Sequence, residues 1–520
     1  MPDSAPTIAA ISTAVTGPGS AGTPGTAGSI NSARSAGGGI GIVRLSGAEA
    51  LRILQNLFSK KIGPEPAPPF AFTPRRMEHG WICDAGAFPL DEVLAVFMPG
   101  PHTFTGEDVA EIHCHGGKAV LQAILGATVA SGARLAAPGE FTRRAFLNGR
   151  LDLSQAEAVA EMISAPTLQG VYLARNKLEG RLSGILNELR AELDVLRARL
   201  YLCIDFPDEA DEALARHKGG DGDFMARLDG IIARITELIL AYERACVWRE
   251  GARAALAGQV NVGKSSLLNA LLGRKRALVS ASPGTTRDFI EEALNLGGIP
   301  LRLVDTAGFR AGADSLDPHA PADALEAEGM DFAQEIFAEA DLILLVLEAG
   351  KFLQGRLIRV DGPEDLDRES AAVFNRYGPP SRNNKLFIVL NKMDLCPACA
   401  VPEEFLGCPC QGVSARTGSG LDNLAESLRR FIVSPPSSRD GDNGALDFSS
   451  AAVPGLRQTL KLKEVKAELS ALKNEFKGDI PADLLSVRLD SAAAYLADVT
   501  GASCSEEILD QVFAGFCIGK

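Results

Sequence analysis

No run of about 18 or more uninterrupted apolar residues occurs in the 520-residue sequence, so a membrane-spanning helix has no candidate segment. The first residues lack a basic stretch followed by an apolar one, the pattern of a secretory leader. The ten cysteines are scattered through a long chain, which argues against the disulfide framework of a small secreted scaffold. Positive charge is also short: 52 Lys and Arg against 66 Asp and Glu leave a net charge of −14. So acidic a chain lacks the positive field that broad, nonspecific nucleic-acid binding needs. Any RNA contact must be local or supplied by a partner. Together these absences predict a cytoplasmic protein with reduced thiols and no membrane association.

What is present is enough apolar material, 46% of residues, to build about three or four structural units. Residues 13–39 are mostly Ala, Gly, Ser, Thr and Pro and read as a flexible insert, because that composition buries too little to offset ordering entropy. Between Ile40 and Ala137, short apolar runs such as IGIVRL and EVLAVFM alternate with Gly/Pro breaks and one helix-like run, KAVLQAILGATVA. This predicts an α+β domain. Helical spacing dominates from Leu151 to Trp248, as in LEGRLSGILNELRAELDVLRARLYL, and resumes after the polar linker SPPSSRDGDNG at 434–444. Strand-like and helical runs alternate between those blocks.

The expected architecture is therefore multidomain. It comprises an N-terminal α+β domain (1–148), an α-helical bundle domain in two parts (149–249 and 445–520), and an inserted α/β domain (250–434).

Chemistry concentrates in the inserted segment. GQVNVGKSS, Gly258 to Ser266, follows a short apolar strand and opens a helix, the context of a phosphate-binding loop. Its nucleotide-contacting residues are Asn261, Val262, Gly263, Lys264, Ser265 and Ser266. Lys264 suits the β and γ phosphates and the Ser265 hydroxyl suits Mg²⁺. DTAG (Asp305, Thr306, Ala307, Gly308) brings a carboxylate toward Mg²⁺ and a glycine near the γ-phosphate. In NKMD (Asn391 to Asp394, with Lys392), the Asp394 carboxylate can accept guanine's N1–H and exocyclic amine, a donor pair that adenine lacks. In SAR (Ser414 to Arg416), the Ala415 N–H suits the guanine O6. The segment Ser280, Ala281, Ser282, Pro283, Gly284, Thr285 and Thr286 reads as a switch, with Thr286 a second Mg²⁺ ligand. Four motifs in this order predict a GTPase and make this segment an inserted α/β P-loop GTPase domain (250–434). Phe309 follows DTAG where small signalling GTPases carry a water-orienting glutamine, so Asp323, Glu326 and Glu328 are all open as replacements.

These motifs, with FTGEDVAEIHCHGG (104–117), PGEFTRRAFLNGRLDLSQAEA (138–158), CIDFPDE (203–209) and the C-terminal CIGK, resemble the bacterial tRNA modification GTPase family MnmE, also called TrmE. The resemblance spans nearly the whole chain. It implies a homodimer, joined through the N-terminal domain, that acts on tRNA with an FAD-dependent MnmG-like protein as a heterotetramer. The reaction implied adds a carboxymethylaminomethyl or aminomethyl group at the wobble uridine, with 5-formyl- or methylene-tetrahydrofolate as carbon donor. It also implies Glu326 as the catalytic glutamate and K⁺ beside the phosphates, held by Asn261 with Ser280, Ser282 and Thr285 around it. For folate it implies Arg44, Glu111, Arg150 and Lys520, and it makes Cys517 a candidate reactive thiol.

Two weaker patterns stand beside these. Cys396, Cys399, Cys408 and Cys410 have the spacing of a zinc site, but free thiols in a surface loop are the preferred reading. His113 and His115 would share one strand face and are expected to pack or hydrogen-bond near the folate pocket rather than hold zinc. A ribosome-assembly GTPase is the alternative function, and it is disfavoured by the lack of a GXXG-bearing RNA module and by the acidic balance.

Overall fold

Burial alternates along IGIVRLS and VAEIHCH, turning Val43 and Leu45, and Ala110, Ile112 and Cys114, to one face, and these two strands lie at the centre of the first sheet. The computed structural model describes residues 5–12, 39–62, 69–205, 223–275, 292–305, 336–354, 357–358, 362–379, 385–396, 399–433, 447–476, 481–501, 506–516 and 519. Most of the 13–39 insert and the 434–444 linker lie outside them. The chain divides into two compact units, Met1–Ile163 with Arg175–Glu237 and Pro454–Lys520, and Ser164–Ala174 with Leu238–Val453.

The first unit begins with strands β1 (Ile8–Ile11), β2 (Ile40–Ser46), β3 (Phe58–Ser59), β4 (Glu78–Cys83), β5 (Pro89–Met98), β6 (Val109–His115) and β7 (Arg134–Leu135). They form one sheet in the order β3-β4-β5-β6-β2-β1-β7, antiparallel except for the β1–β7 pair. Helices α1 (Ala50–Leu57) and α2 (Lys118–Ala130) cover one face, where Val43, Leu45, Ala110, Ile112 and Cys114 meet Ile53, Leu54, Leu121 and Ile124. On the other face Phe141, from α3 (Glu140–Leu147), packs with Ile8 and Ala10.

The helical part of this unit follows from heptad spacing. Leu182, Leu186, Leu189, Leu193, Leu196 and Leu200 repeat every three or four residues along α6 (Arg181–Asp205), and all are buried. Phe224, Leu228, Ile231 and Ile235 do the same in α7 (Asp223–Glu250). So do Leu462, Val465, Leu469 and Leu472 in α11 (Leu456–Phe476), and Leu485, Leu489, Ala492 and Leu496 in α12 (Ala482–Thr500). Such seams bring four helices into one bundle, with α12 against both α6 and α11, and Phe224 stacked on Phe476 at 5.0 Å. Each buried leucine contributes about 2 kcal/mol. The long helical run beginning at Leu178 is not continuous. Helix α5 (Leu168–Leu178) stops, Gly180 takes a positive φ of 82°, and α6 starts anew, because glycine is the residue that closes a helix in the left-handed conformation.

The second unit is a doubly wound sheet with strands in the order β15 (Glu404–Phe405), β16 (Cys408–Gly412), β14 (Leu386–Asn391), β11 (Leu342–Glu348), β8 (Ala252–Ala257), β10 (Ile299–Asp305) and β9 (Glu292–Leu296), and β12 (Leu353–Gln354) and β13 (Leu357–Ile358) form a separate antiparallel pair. Strands β8, β10, β11, β14 and β16 run parallel, while β9 and β15 pair antiparallel at the edges. Every residue of LFIVLN in β14 is buried, as a strand covered on both faces requires. Helices α8 (Lys264–Lys275), α9 (Arg368–Tyr377) and α10 (Leu421–Val433) follow β8, β11 and β16 along the chain. This unit takes in more than the 250–434 expected for the α/β domain. The reason is packing: Thr167 donates to the Trp248 carbonyl at 2.7 Å, and Trp248 lies in the sheet's apolar core against Phe448.

One buried cation tests the helical packing. Lys177 is 1% exposed, and its ammonium donates to Glu161 at 2.9 Å and to Glu157 at 3.4 Å, while Arg457 also holds Glu157 at 2.6 Å. Lys177→Met leaves Glu161 without this partner and should cost about 2 kcal/mol, read as a lower urea midpoint by far-UV circular dichroism. An unchanged midpoint would show that the buried pair contributes nothing net.

Candidate functional site

In a parallel sheet, the loops that leave the C-terminal ends of the strands share one edge, and ligands bind there. Four of the sequence motifs meet at that edge. Gly258 to Gly263 leave β8, Asp305 ends β10, Asn391 ends β14, and Ser414 and Ala415 follow β16. Of Asp305 only the backbone is described. Ser280, Ala281, Ser282, Pro283, Gly284, Thr285, Thr286, Thr306, Ala307, Gly308 and Glu326 lie outside the described residues.

Local backbone geometry shapes the phosphate loop. Asn261 and Gly263 both have positive φ, 70° and 94°, before helix α8 begins at Lys264. A Cβ at Gly263 would stand 2.5 Å from Asn391 Nδ2, so only glycine fits. Lys264, 6% exposed, folds its ammonium back to the Gly258 and Gln259 carbonyls at 2.5 and 3.1 Å. Ser265 and Ser266, on the first turn of α8, are exposed, as is Asn261.

Asn391 joins this loop to the base-reading loops. Its side chain is 2% exposed; Nδ2 donates to the Val262 carbonyl at 2.9 Å, and Oδ1 accepts from the Ala415 N–H at 3.1 Å. Ser414 donates to Asp394 Oδ1 at 2.6 Å, and Arg416 donates to Oδ2 at 2.5 Å. The Ser414 hydroxyl first, and Arg416 after it, hold the Asp394 carboxyl below its ordinary range against a smaller opposing effect of desolvation. Asp394 is thus an ionised acceptor at neutral pH, the state that two N–H donors of a base edge require.

Two further cations reach this edge, Lys392 of the NKMD motif and Lys351, which no motif predicts. Lys392, in a left-handed backbone, donates to Glu348 at 2.9 Å, and Lys351 donates to the phosphate-loop side chain of Gln259 at 2.7 Å. Strand register offers a signal for the first, since Glu348 pairs directly with Asn391. The second has none in sequence.

On the N-terminal sheet, Arg44 and Glu111 are direct cross-strand partners, and Arg44 Nε donates to Glu111 Oε1 at 2.8 Å. The Arg44 guanidinium also lies 6.0 Å from the centre of the Phe141 ring. Arg150 Nε donates to the Thr103 carbonyl at 3.1 Å, on the loop whose Thr105 bonds Ser46, two residues along β2 from Arg44. Lys520 and Cys517 lie outside the described residues. Gly519 does not: its carbonyl accepts from Ser12 at 3.2 Å, next to β1, whose Ala10 pairs with Arg44. The sheet thus brings Gly519 and Arg44 to one region.

The four loop cysteines are free thiols; Cys396, Cys408 and Cys410 are buried and Cys399 is half-buried. Cys408 and Cys410 are buried among Phe352, Phe405 and Leu390, and the Cys410 thiol is spent on the Pro402 carbonyl at 2.8 Å. Burial pushes its pKa up to about 12 and raises that of Cys396. Among the described residues no group of three or more His, Cys, Asp or Glu is placed to hold a metal ion, and no helix is long and apolar enough to cross a membrane. His115 Nδ1 meets Asp91 at 2.7 Å.

Removing the Asn391 fork tests the link between the loops. Asn391→Ala leaves the Val262 carbonyl and the Ala415 N–H without this partner, at a cost of about 2 kcal/mol. Fluorescent-GDP titration should show affinity lower by about 10-fold or more with circular dichroism unchanged, and wild-type affinity would refute the coupling.

Comparison with known proteins bears on the same residues. The family described as GTP-binding protein TrmE N-terminus matches residues 27–150, and that described as MnmE helical domain matches 153–517. The tRNA modification GTPase MnmE of Nitratidesulfovibrio vulgaris (strain DP4) is 45% identical over 489 residues, covering 93% of this chain and 96% of that protein. Those of Lawsonia intracellularis and Moorella thermoacetica are each 39% identical over 490 residues, covering 94% and 93% of this chain and 98% and 97% of theirs. The G domain of the T. maritima FeoB iron transporter aligns with 35% of this chain and 98% of that one at 23% identity, but its TM-score of 0.22 adds nothing to the assignment. On the family matches and these near full-length relatives, the chain belongs to the tRNA modification GTPase MnmE family.

Proposed function

We propose that this chain is the GTP-hydrolysing component of an enzyme that modifies the wobble uridine of certain tRNAs in the cytoplasm. It acts as a homodimer through its N-terminal domain, with an FAD-dependent MnmG-like partner in a heterotetramer. A tetrahydrofolate derivative, 5-formyl or methylene, supplies the carbon of the carboxymethylaminomethyl or aminomethyl group. The observation that carries the GTPase half of the reading is the Asn391 amide, which ties the phosphate loop at Val262 to the base-reading loop at Ala415. One amide thereby sets the spacing between the two ends of a nucleotide.

The residues fit the groups proposed. Exposed Ser265 on the first turn of α8 and Asp305 at the end of β10 suit Mg²⁺, joined by Thr286 from the switch segment. Asn261 suits K⁺ together with Ser280, Ser282 and Thr285; bound there, the ion supplies positive charge toward the phosphates. Glu326 is the residue proposed to orient the attacking water. Arg44, Glu111, Arg150 and Lys520 combine cations for a folate's glutamate carboxylates with one carboxylate for its ring. The C-terminal motif at Gly519 supports placing Lys520, and the candidate thiol Cys517, beside that region.

Steady-state GTP hydrolysis in K⁺ and in Na⁺ at matched ionic strength tests the mechanism. K⁺ should stimulate the wild type, and Glu326→Ala should lower kcat by about 100-fold while GDP binding persists. Hydrolysis indifferent to the cation and intact in the variant would remove both assignments while leaving the GTPase. Asp394→Asn replaces an acceptor with a donor that matches the C2 carbonyl of xanthine. The variant should favour XTP over GTP by about 100-fold, and a retained preference for GTP would mean that Asp394 does not read the base.

A further inference from the structure

Two oxygens of one carboxylate on the N-terminal sheet are held from different sides. Residues two apart on a strand share a face, so Glu111 and His113 of β6 project to the same side, opposite Arg44 and Ile42 of β2. Arg44 Nε donates to Glu111 Oε1 at 2.8 Å, and His113 Nε2 lies 3.3 Å from Glu111 Oε2. The Glu111 and His113 side chains are 17% and 22% exposed, so both are partly accessible.

We propose that His113 is a positioning residue that, by holding the second oxygen of Glu111, sets that carboxylate to receive the two-donor edge of a folate pteridine. The inference rests on the folate reading above. An ionised carboxylate has about four acceptor sites. Arg44 and His113 take one on each oxygen, which leaves one on each for a pair of parallel N–H donors. The terminal torsion of a glutamate is broad, so with Arg44 alone the carboxylate can pivot about a single bond. His113 stops that rotation with its proton on Nε2, the tautomer that Glu111 selects. Its cross-strand neighbours, Ile42 and Leu94, carry no donor that could replace it.

The test is calorimetric titration of 5-formyl-tetrahydrofolate into the full-length protein. His113→Ala and His113→Leu, the latter filling the volume without a donor, should each weaken binding about 10-fold. His113→Gln, which keeps an N–H, should stay within about 3-fold of wild type. In a Glu111→Gln background, His113→Ala should add little, because the histidine acts through the carboxylate. Wild-type affinity in both donorless variants would overturn the inference and leave the folate reading standing. Loss in His113→Gln equal to that in alanine would make the side chain structural, and an undiminished effect in the Glu111→Gln background would show action independent of Glu111. A wild-type protein that binds no folate would remove the folate reading itself, and the inference with it.

Discussion

A buried amide can satisfy two loops at once only if both approach within one side chain's reach, and Asn391 imposes that condition on the α/β unit. Its amide nitrogen serves the Val262 carbonyl and its oxygen the Ala415 N–H. The requirement propagates outward. The residue after Val262 must lack a Cβ, because Asn391 occupies that space; β14 must end beside β8's loop; and β16 must deliver Ala415 to the same edge. The sheet order, with β11 between β8 and β14, meets that geometry by letting Asn391 reach past its neighbour at the C-terminal edge.

The helical bundle obeys a different constraint, one of periodicity. Segments separated by more than two hundred residues carry the same three-four spacing of apolar residues, and each leaves an apolar stripe that must be buried against partner helices. Four stripes close on one another, and charges flank the seams: Arg197 with Asp490, Arg234 with Glu188 and Glu192, Arg488 with Glu468 and Glu475. These pairs are partly exposed and contribute little energy each, so their value lies in selecting which stripe faces which. Lys177 is the exception. Its charge is buried, and the two carboxylates beside it make that burial tolerable.

Much of this was legible in residues because the determinants are local. The phosphate loop, the strand ends at Asp305 and Asn391, and the heptads of α6 and α11 are each written within a short stretch of consecutive positions. The break at Gly180 was also written there, but the apolar period on both sides of it is unbroken and masks the cap. What could not be read is what register and burial decide. Lys351 reaches Gln259 from 92 positions away, and no pattern in either segment marks the contact. The cysteine loop misleads for a related reason: CxxC and CxC spacing counts residues, whereas Cys408 and Cys410 are turned into the core by the alternation of β16. His113 and Glu111 are adjacent on one face by that same alternation, yet their bond depends on Arg44 being opposite, which only the β2–β6 register supplies.

The two candidate sites share a piece of chemistry. Guanine and a pteridine ring present the same edge, a ring N–H beside an exocyclic amine, and in each site one carboxylate is proposed to meet it. Asp394 has Ser414 on one oxygen and Arg416 on the other, and Glu111 has Arg44 and His113. The difference lies in what holds them. Arg416 is 75% exposed, so its hold on Asp394 is a solvent-screened contact that an incoming base can displace at little cost, leaving Ser414 to keep the orientation. Arg44 and His113 are each 22% exposed and fixed by strand pairing, so neither partner of Glu111 yields readily. A nucleotide pocket that must release its product on every cycle is served by the first arrangement. A carboxylate that must keep its plane toward the proposed cofactor is served by the second.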